Sequence, residues 1–214
     1  MLIESTEQEF SRAERGLLER LDQLDWPTLQ KVLLIGYRLN SMTYRIKERD
    51  NRIEVLRLPL ERGGSFPDRA FSLILTCWSD YILLFQNRQR LFKMLKDNGI
   101  LGILIPMDNS PRLILDVLRR WTKISYIGFP RSRGELRGWL EDTGFYNTLI
   151  WEDAMRFPFK SIQQALQHFS QMGGKQILQG VNVQMVEAEL TSILTRTGTL
   201  NIEYQYLGAI CQKK

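Results

Sequence analysis

The sequence predicts an α/β fold built on an open, mainly parallel sheet with helices on both faces. Two observations carry that expectation. Short apolar runs lack any polar alternation, as in Val32 to Ile35, "FSLILT" at Phe71 to Thr76 and "ILGILI" at Ile100 to Ile105. Helical periodicities fall between these runs. A strand whose successive side chains are all apolar needs cover on both faces, and parallel sheets obtain it from their crossover helices.

In chain order, Ser11 to Leu24 reads as the first helix. Leu17, Leu18, Leu21 and Leu24 recur at helical spacing and "DWPTLQ" breaks the pattern, so residues 1–27 form an N-terminal helical segment. Val32 to Ile35 is the first strand, and "IEVLRL" at Ile53 to Leu58 follows. After "FSLILT", a helix near Asn87 to Lys96 buries Leu91, Phe92 and Leu95. Asn87 is placed to cap it and Gly99 to supply a left-handed stop, so "KDNG" is expected to join helix to strand.

"SPRLILDVLRRW" looks helical. "SRGELRGWLEDTG" carries a capping box from Ser132 to Glu135 and a stop at Gly144, with "YNTLIW" as the next strand. Ser161 with Gln164 reads as a second capping box. It opens a helix whose stripe is Ile162, Ala165, Leu166, Phe169 and Met172 and which Gly173 and Gly174 should end. A helix around Val186 to Leu194 and a strand from Leu200 to Cys211 complete the chain. Residues 1–214 read as one domain, with 122–195 as helical additions between core strands.

The chain has 214 residues, enough to bury a sizeable core without disulfides. Its two cysteines, Cys77 and Cys211, are far apart and give no CxxC metal signal, which points to a reducing, cytoplasmic setting. "MLIESTEQEF" lacks the basic flank and apolar core of a secretory signal. No apolar run reaches the roughly 18 residues that span a bilayer, so no membrane partner is expected. A formal charge of +5 favours an acidic partner. Nucleic acid is the weaker candidate, because no base-stacking array or recognition motif accompanies the charge.

The phrase running from "FPDRAFSLILTCW" to "RQRLFKMLKDNGILGILIP" resembles the fourth strand, following helix and fifth strand of class I S-adenosylmethionine (SAM)-dependent methyltransferases. Asp97, Asn98 and Gly99 stand where that superfamily has a Pro-Gly-Gly-like bend. Farther on, "FPRSRGELRGWLEDTGF", "FKSIQQALQHFSQMGGKQ" and "IEYQYLGAIC" are similar, in order, to segments of the BioC-type malonyl-acyl-carrier-protein O-methyltransferases of biotin synthesis. The resemblance covers most of residues 30–211. It implies a Rossmann-like sheet with an antiparallel last strand, SAM as cofactor, and an acidic carrier protein as partner.

Against that pattern the chain departs at its first strand. "KVLLIGYRLNSMTYRI" supplies Gly36 and then Tyr37, Arg38 and Leu39 where the superfamily has further glycines, and Leu34 fills the place of the usual acid. Side chains there obstruct the close backbone approach that the cofactor requires. The span from Gly36 to Phe71 is about one αβ unit short. Glu48, Asp50 and Glu54 are near the position of the ribose-binding acid, but none ends an apolar strand. The remaining cofactor candidates are Gly36, Tyr37, Cys77 and Trp78, the last two leading into Ser79 and Asp80 after a sheet strand.

A basic run of Arg119, Arg120, Lys123, Arg131, Arg133 and Arg137 is opposed in sequence by Glu135 alone. By the resemblance, Arg131, Arg133 and Arg137 are candidates for a substrate carboxylate or an acidic partner. His168 reads as a surface helix residue. Phe10, Ser11, Arg12 and Ala13 are similar to the family's opening segment, but its tyrosine is missing, which implies a shortened or lost lid. Two functions stay open. One is a non-catalytic relative serving as a binding subunit or partner of an active methyltransferase, with no cofactor. The other is a divergent, active carboxyl O-methyltransferase using SAM, whose catalytic residues the sequence does not assign.

Overall fold

The computed structural model describes residues 2–23, 29–36, 39–58, 66–78, 87–121 and 129–214. Its secondary structure begins with helix α1 (Leu2–Leu21), strand β1 (Lys31–Gly36), α2 (Leu39–Arg49), β2 (Glu54–Leu58) and β3 (Phe71–Cys77). Then come α3 (Arg88–Met94), β4 (Leu95–Pro106), α4 (Arg112–Trp121), α5 (Arg133–Thr143) and β5 (Phe145–Phe159). Helix α6 (Ile162–Phe169), a π-helical turn (Ser170–Gly174), α7 (Lys175–Gln179), α8 (Val183–Thr197) and β6 (Leu200–Lys213) finish the chain.

The six strands form one sheet in the order β2-β1-β3-β4-β6-β5. Strand β1 runs parallel to β2 and β3, and β3 runs parallel to β4. Strand β6 is antiparallel to both β4 and β5. The result is the expected Rossmann-like α/β sheet with an antiparallel last strand. Among the described residues β2 is its outer strand on one side, where the superfamily pattern would add a further αβ unit.

Alternation within the strands explains their unbroken apolar runs. Val32, Leu34, Leu73 and Leu75 face one layer, while Leu33, Ile35 and Ile74 face the other. Helices α1, α2, α4, α6 and α8 supply the first layer through Leu17, Met42, Ile114, Leu166 and Leu190. Helices α3 and α5 supply the second through Leu91, Leu136 and Trp139. Each fully buried leucine or isoleucine contributes about 1.5–3 kcal/mol relative to exposure, so both layers are needed to hold the sheet.

Several boundaries differ from expectation. Helix α1 begins at Leu2, ahead of Ser11, and Leu24 lies outside the described residues. Helix α3 stops at Met94, and "KDNG" sits inside β4 as a bulge, since Phe71 pairs with Leu95 but Leu73 with Ile100. The left-handed residue there is Asn98 (φ 61°), not Gly99. Close approach explains the glycine instead: a Cβ at Gly99 would lie 2.7 Å from the Lys96 carbonyl. Asn87 occupies the N-cap of α3 without a side-chain cap bond.

The first capping box forms in part, with its return bond made to the residue before the N-cap. Ser132 Oγ accepts from the Glu135 N–H at 3.2 Å, Glu135 Oε2 accepts from the Arg131 N–H at 2.9 Å, and Gly144 ends α5 with φ 106°. The second does not, because Ser161 makes no side-chain cap bond to α6. Gly173 and Gly174 do not stop that helix either, since the chain passes through the π turn into α7. Strand β5 extends well beyond "YNTLIW" and lies inside the 122–195 span expected as additions. No helix among the described residues is long and apolar enough to cross a membrane.

Candidate functional site

Open sheets of this kind bind ligands beyond the carboxyl ends of their strands, where successive strands leave on opposite sides. Here that point lies between β1 and β3, and the paired residues at its rim are Gly36 and Cys77. Gly36 takes φ 120°, which a side chain would strain. Only two residues separate it from Leu39, where α2 starts. Those two, Tyr37 and Arg38, lie outside the described residues, as do Ser79 and Asp80.

Behind the rim stands a side chain that the sequence reading passed over. Glu14 of α1 is 0% exposed, and Ser41, in the first turn of α2, donates a 2.8 Å hydrogen bond to its Oε2. A helix N-terminus favours negative charge, and the Glu14 carboxyl group occupies that place here. Burial, reinforced by the nearby Glu14 carboxylate, pushes the Cys77 thiol well above its usual range. Burial also raises the thiol of Cys211. Both stay protonated at neutral pH and are poor nucleophiles. The periodicity could have revealed Glu14, which falls four residues after Phe10 and four before Leu18 on the buried stripe.

Trp78 follows Cys77 with φ 56°, its N–H donating to the Leu104 carbonyl at 2.8 Å. Its indole is nearly buried, edge-on to Phe10 at 5.3 Å and to Tyr206 at 5.4 Å. Phe10 therefore closes over Trp78. The opening segment that carries Phe10 is docked on the core, with Phe10 and Ala13 buried. Tyr206 shares a 3.3 Å hydrogen bond with Asp153, and burial, then that carboxylate, raises its phenol pKa.

His168 is not on the surface. It is 7% exposed, with its ring 4.5 Å from Phe157, 5.3 Å from both Phe159 and Tyr204, and 5.9 Å from Phe10. Burial lowers its pKa to about 4, so it is neutral at physiological pH. Alternating aromatic residues on β5 and β6 build this nest, and helix periodicity within α6 alone does not register them. Among the described residues Trp78 Nε1, His168 Nε2 and the Tyr204 hydroxyl have no hydrogen-bond partner.

The arginine run is opposed by more acids than Glu135. Arg131 Nε lies 3.5 Å from Asp108, just past β4, and Arg133 Nε lies 3.6 Å from Glu152 on β5. Arg137 lies 3.8 Å from Glu141 on α5 itself. The acids come from other elements or the next helical turn, so a scan of neighbouring residues does not reveal them. All three guanidinium groups are more than half exposed, and Arg131 and Arg133 pair with acids near the carboxyl end of β4, since Glu152 is in register with Leu207 and Leu207 with Ile105. No group of three or more His, Cys, Asp or Glu side chains among the described residues could hold a metal ion.

No family model and no curated protein matches the sequence. In three dimensions the chain is similar to the YcgJ protein from Bacillus subtilis, with a TM-score of 0.52 at 10% identity over 94% of this chain and 98% of that one. A candidate methyltransferase from Bacillus halodurans C-125 gives 0.52 at 11% identity, with the same coverage. The phosphoethanolamine N-methyltransferase 2 of Haemonchus contortus, bound to phosphomonomethylethanolamine and S-adenosylhomocysteine, gives 0.52 at 13% identity over 95% of this chain and 53% of that one. The fold is the Rossmann-like fold of SAM-dependent methyltransferases.

Proposed function

We propose that this chain is a non-catalytic relative of the class I methyltransferases, descended from the BioC type. It would keep the sheet as a binding subunit, or as the partner of an active methyltransferase. The observation that supports this reading best is the buried Glu14 carboxylate on the first turn of α2. SAM carries its own carboxylate and would bring a second negative charge to that turn. A like charge brought beside a buried carboxylate is disfavoured. The two residues between β1 and α2 are also too few for a glycine-rich cradle. The residues present do not fit SAM in the pose that the superfamily's glycine turn provides.

A second reading has its own support. Trp78 and Cys77 stand at the carboxyl end of β3, where a Rossmann-like methyltransferase contacts its ligands, and the fold is that of SAM-dependent enzymes. On this reading the chain is a divergent carboxyl O-methyltransferase acting in biotin synthesis. It would work by aligning and desolvating a carboxylate that is already ionised.

Calorimetric titration of the purified protein with SAM and with S-adenosylhomocysteine separates the two. Absence of saturable heat supports the non-catalytic reading. Binding at micromolar concentration, with a change in Trp78 fluorescence, overturns it in favour of the enzyme.

A further inference from the structure

The outer edge of β5 is closed along one half and open along the other. Ala154 directs its N–H and its C=O away from β6. The N–H donates to Asp153 Oδ1 at 2.8 Å, and the carbonyl accepts from the Arg12 guanidinium of α1. The Arg156 N–H donates to Glu9 Oε2 at 3.1 Å, and Pro158, two residues on, has no N–H to pair. Glu9 and Arg12, an ion pair at 3.2 Å, thus cap this half of the edge from α1.

Residues of an antiparallel strand alternate between facing their partner and facing away, so Glu152 and Ile150 point outward as Ala154 does. They lie opposite Leu207 and Ala209 of β6. Among the described residues their outward N–H and C=O groups make no hydrogen bond. Helix α1 has left the edge by this point, since Arg20 stacks on Trp151 above Gly208 and Leu17 packs beside Gly102 of β4. Leu149, next to the opening, is 47% exposed.

We propose that this edge pairs with the same edge of a second copy, antiparallel about a two-fold axis at Trp151, joining two six-stranded sheets into one. A two-fold contact sets a strand against itself, and Ile150 then lies opposite Glu152 of the second copy. Each such pair exchanges both N–H···O=C bonds, so every open group of Ile150 and Glu152 in both copies is used. A shift toward the C-terminus would bring up Ala154, whose outward groups are already taken. A shift the other way runs into the irregularity between Tyr146 and Leu149.

Side chains fit the same register. Trp151 faces Trp151, Leu149 faces Asp153 and Ile150 faces Glu152, so no like charges stand directly opposite. Arg133 accompanies each Glu152 at 3.6 Å, so a guanidinium and a carboxylate from each copy flank the axis. A ladder this short buries less than the roughly 1,200 Å² of stable interfaces, which makes the dimer weak and concentration-dependent. Strands β4 and β6 separate this edge from the β1–β3 rim, so the contact does not depend on whether SAM binds.

Sedimentation velocity of the whole chain over a concentration series tests the contact, with backbone amide exchange followed by NMR at both ends of the series. Glu152→Pro removes an outward N–H without costing a bond to β6, as Pro158 does at an equivalent position. Glu152→Gln removes the charge and keeps the backbone donor. Both variants are checked for native circular dichroism. The parent should pass from monomer to dimer as concentration rises, and the Ile150 and Glu152 amides should exchange about tenfold more slowly at the concentrated end. Glu152→Gln should dimerise like the parent, and Glu152→Pro about tenfold more weakly or not at all. A parent that stays monomeric overturns the proposal and leaves the edge to another chain or to water. Dimerisation that does not slow these two amides overturns it as well, and that measurement decides even where the proline variant misfolds.

Discussion

Ser41 and Glu14 join two helices through one hydrogen bond, a hydroxyl donating over 2.8 Å to a carboxylate with no solvent exposure. Glu14→Ala should remove the acceptor and leave a cavity under α1, costing about 2–4 kcal/mol in urea unfolding. Glu14→Gln keeps the shape and an acceptor and should cost less than half as much. If the buried charge is what repels SAM, the glutamine variant should also gain measurable SAM affinity.

His168 gives stability a defined acid limit. In the unfolded chain its imidazole protonates near 6.5, whereas the folded protein holds it neutral down to about 4. The unfolded state therefore binds the extra proton first. Stability is full above about 6.5 and falls as pH drops toward 4, by at most about 3 kcal/mol. Denaturation at pH 7 and at pH 4.5 should show a smaller loss for His168→Phe than for the parent protein.

Two serines at helix starts should behave differently. Ser132 accepts from the Glu135 N–H, so Ser132→Ala should cost about 1 kcal/mol. Ser161 makes no such bond, and Ser161→Ala should change stability by less than about 0.5 kcal/mol. Paired chemical denaturation curves resolve the difference.

Gly208 allows Trp151 to lie flat on β6. A Cβ there would come within 2.1 Å of the indole, whose ring also lies 4.4 Å from the Arg20 guanidinium. Gly208→Ala should displace Trp151, break the stacking and cost about 1–3 kcal/mol. Thermal unfolding with tryptophan fluorescence tests both effects.

If an acidic partner docks at Arg131, Arg133 and Arg137, replacing all three with glutamine should slow its association and flatten the salt dependence. Glutamine is preferable to glutamate, which would place new negative charge beside Asp108, Glu152 and Glu141. Stability should change little, because exposed ion pairs contribute about 0–1 kcal/mol each. Stopped-flow mixing with a carrier protein and with duplex DNA measures the rates. Unchanged association would return these arginines to an ordinary solvated surface.

The sheet was legible because its physics is local to each strand. Val32 to Ile35 or Phe71 to Thr76 can be read without knowing their neighbours, since uninterrupted apolarity already demands two covered faces. Caps were legible only in part. Ser132 and Ser161 carry similar local patterns, yet only Ser132 bonds to the following turn. The candidate site was hardest, because its contents come from distant segments. Glu14 meets Ser41, and His168 meets Phe10, Phe157 and Tyr204, across separations that no window of sequence spans.

The strand order also bears on how the chain is made. Strand β5 is synthesised before β6, yet among the described residues β6 is its sole neighbour in the sheet, paired from Phe145 through Phe159. A nascent chain that has completed β5 must carry fifteen residues of strand with no sheet partner until β6 emerges. Unpaired strand edges recruit other chains, so this interval favours aggregation when synthesis is crowded. Pauses between the codons of β5 and β6 should lower soluble yield, while pauses after β6 should leave it unchanged.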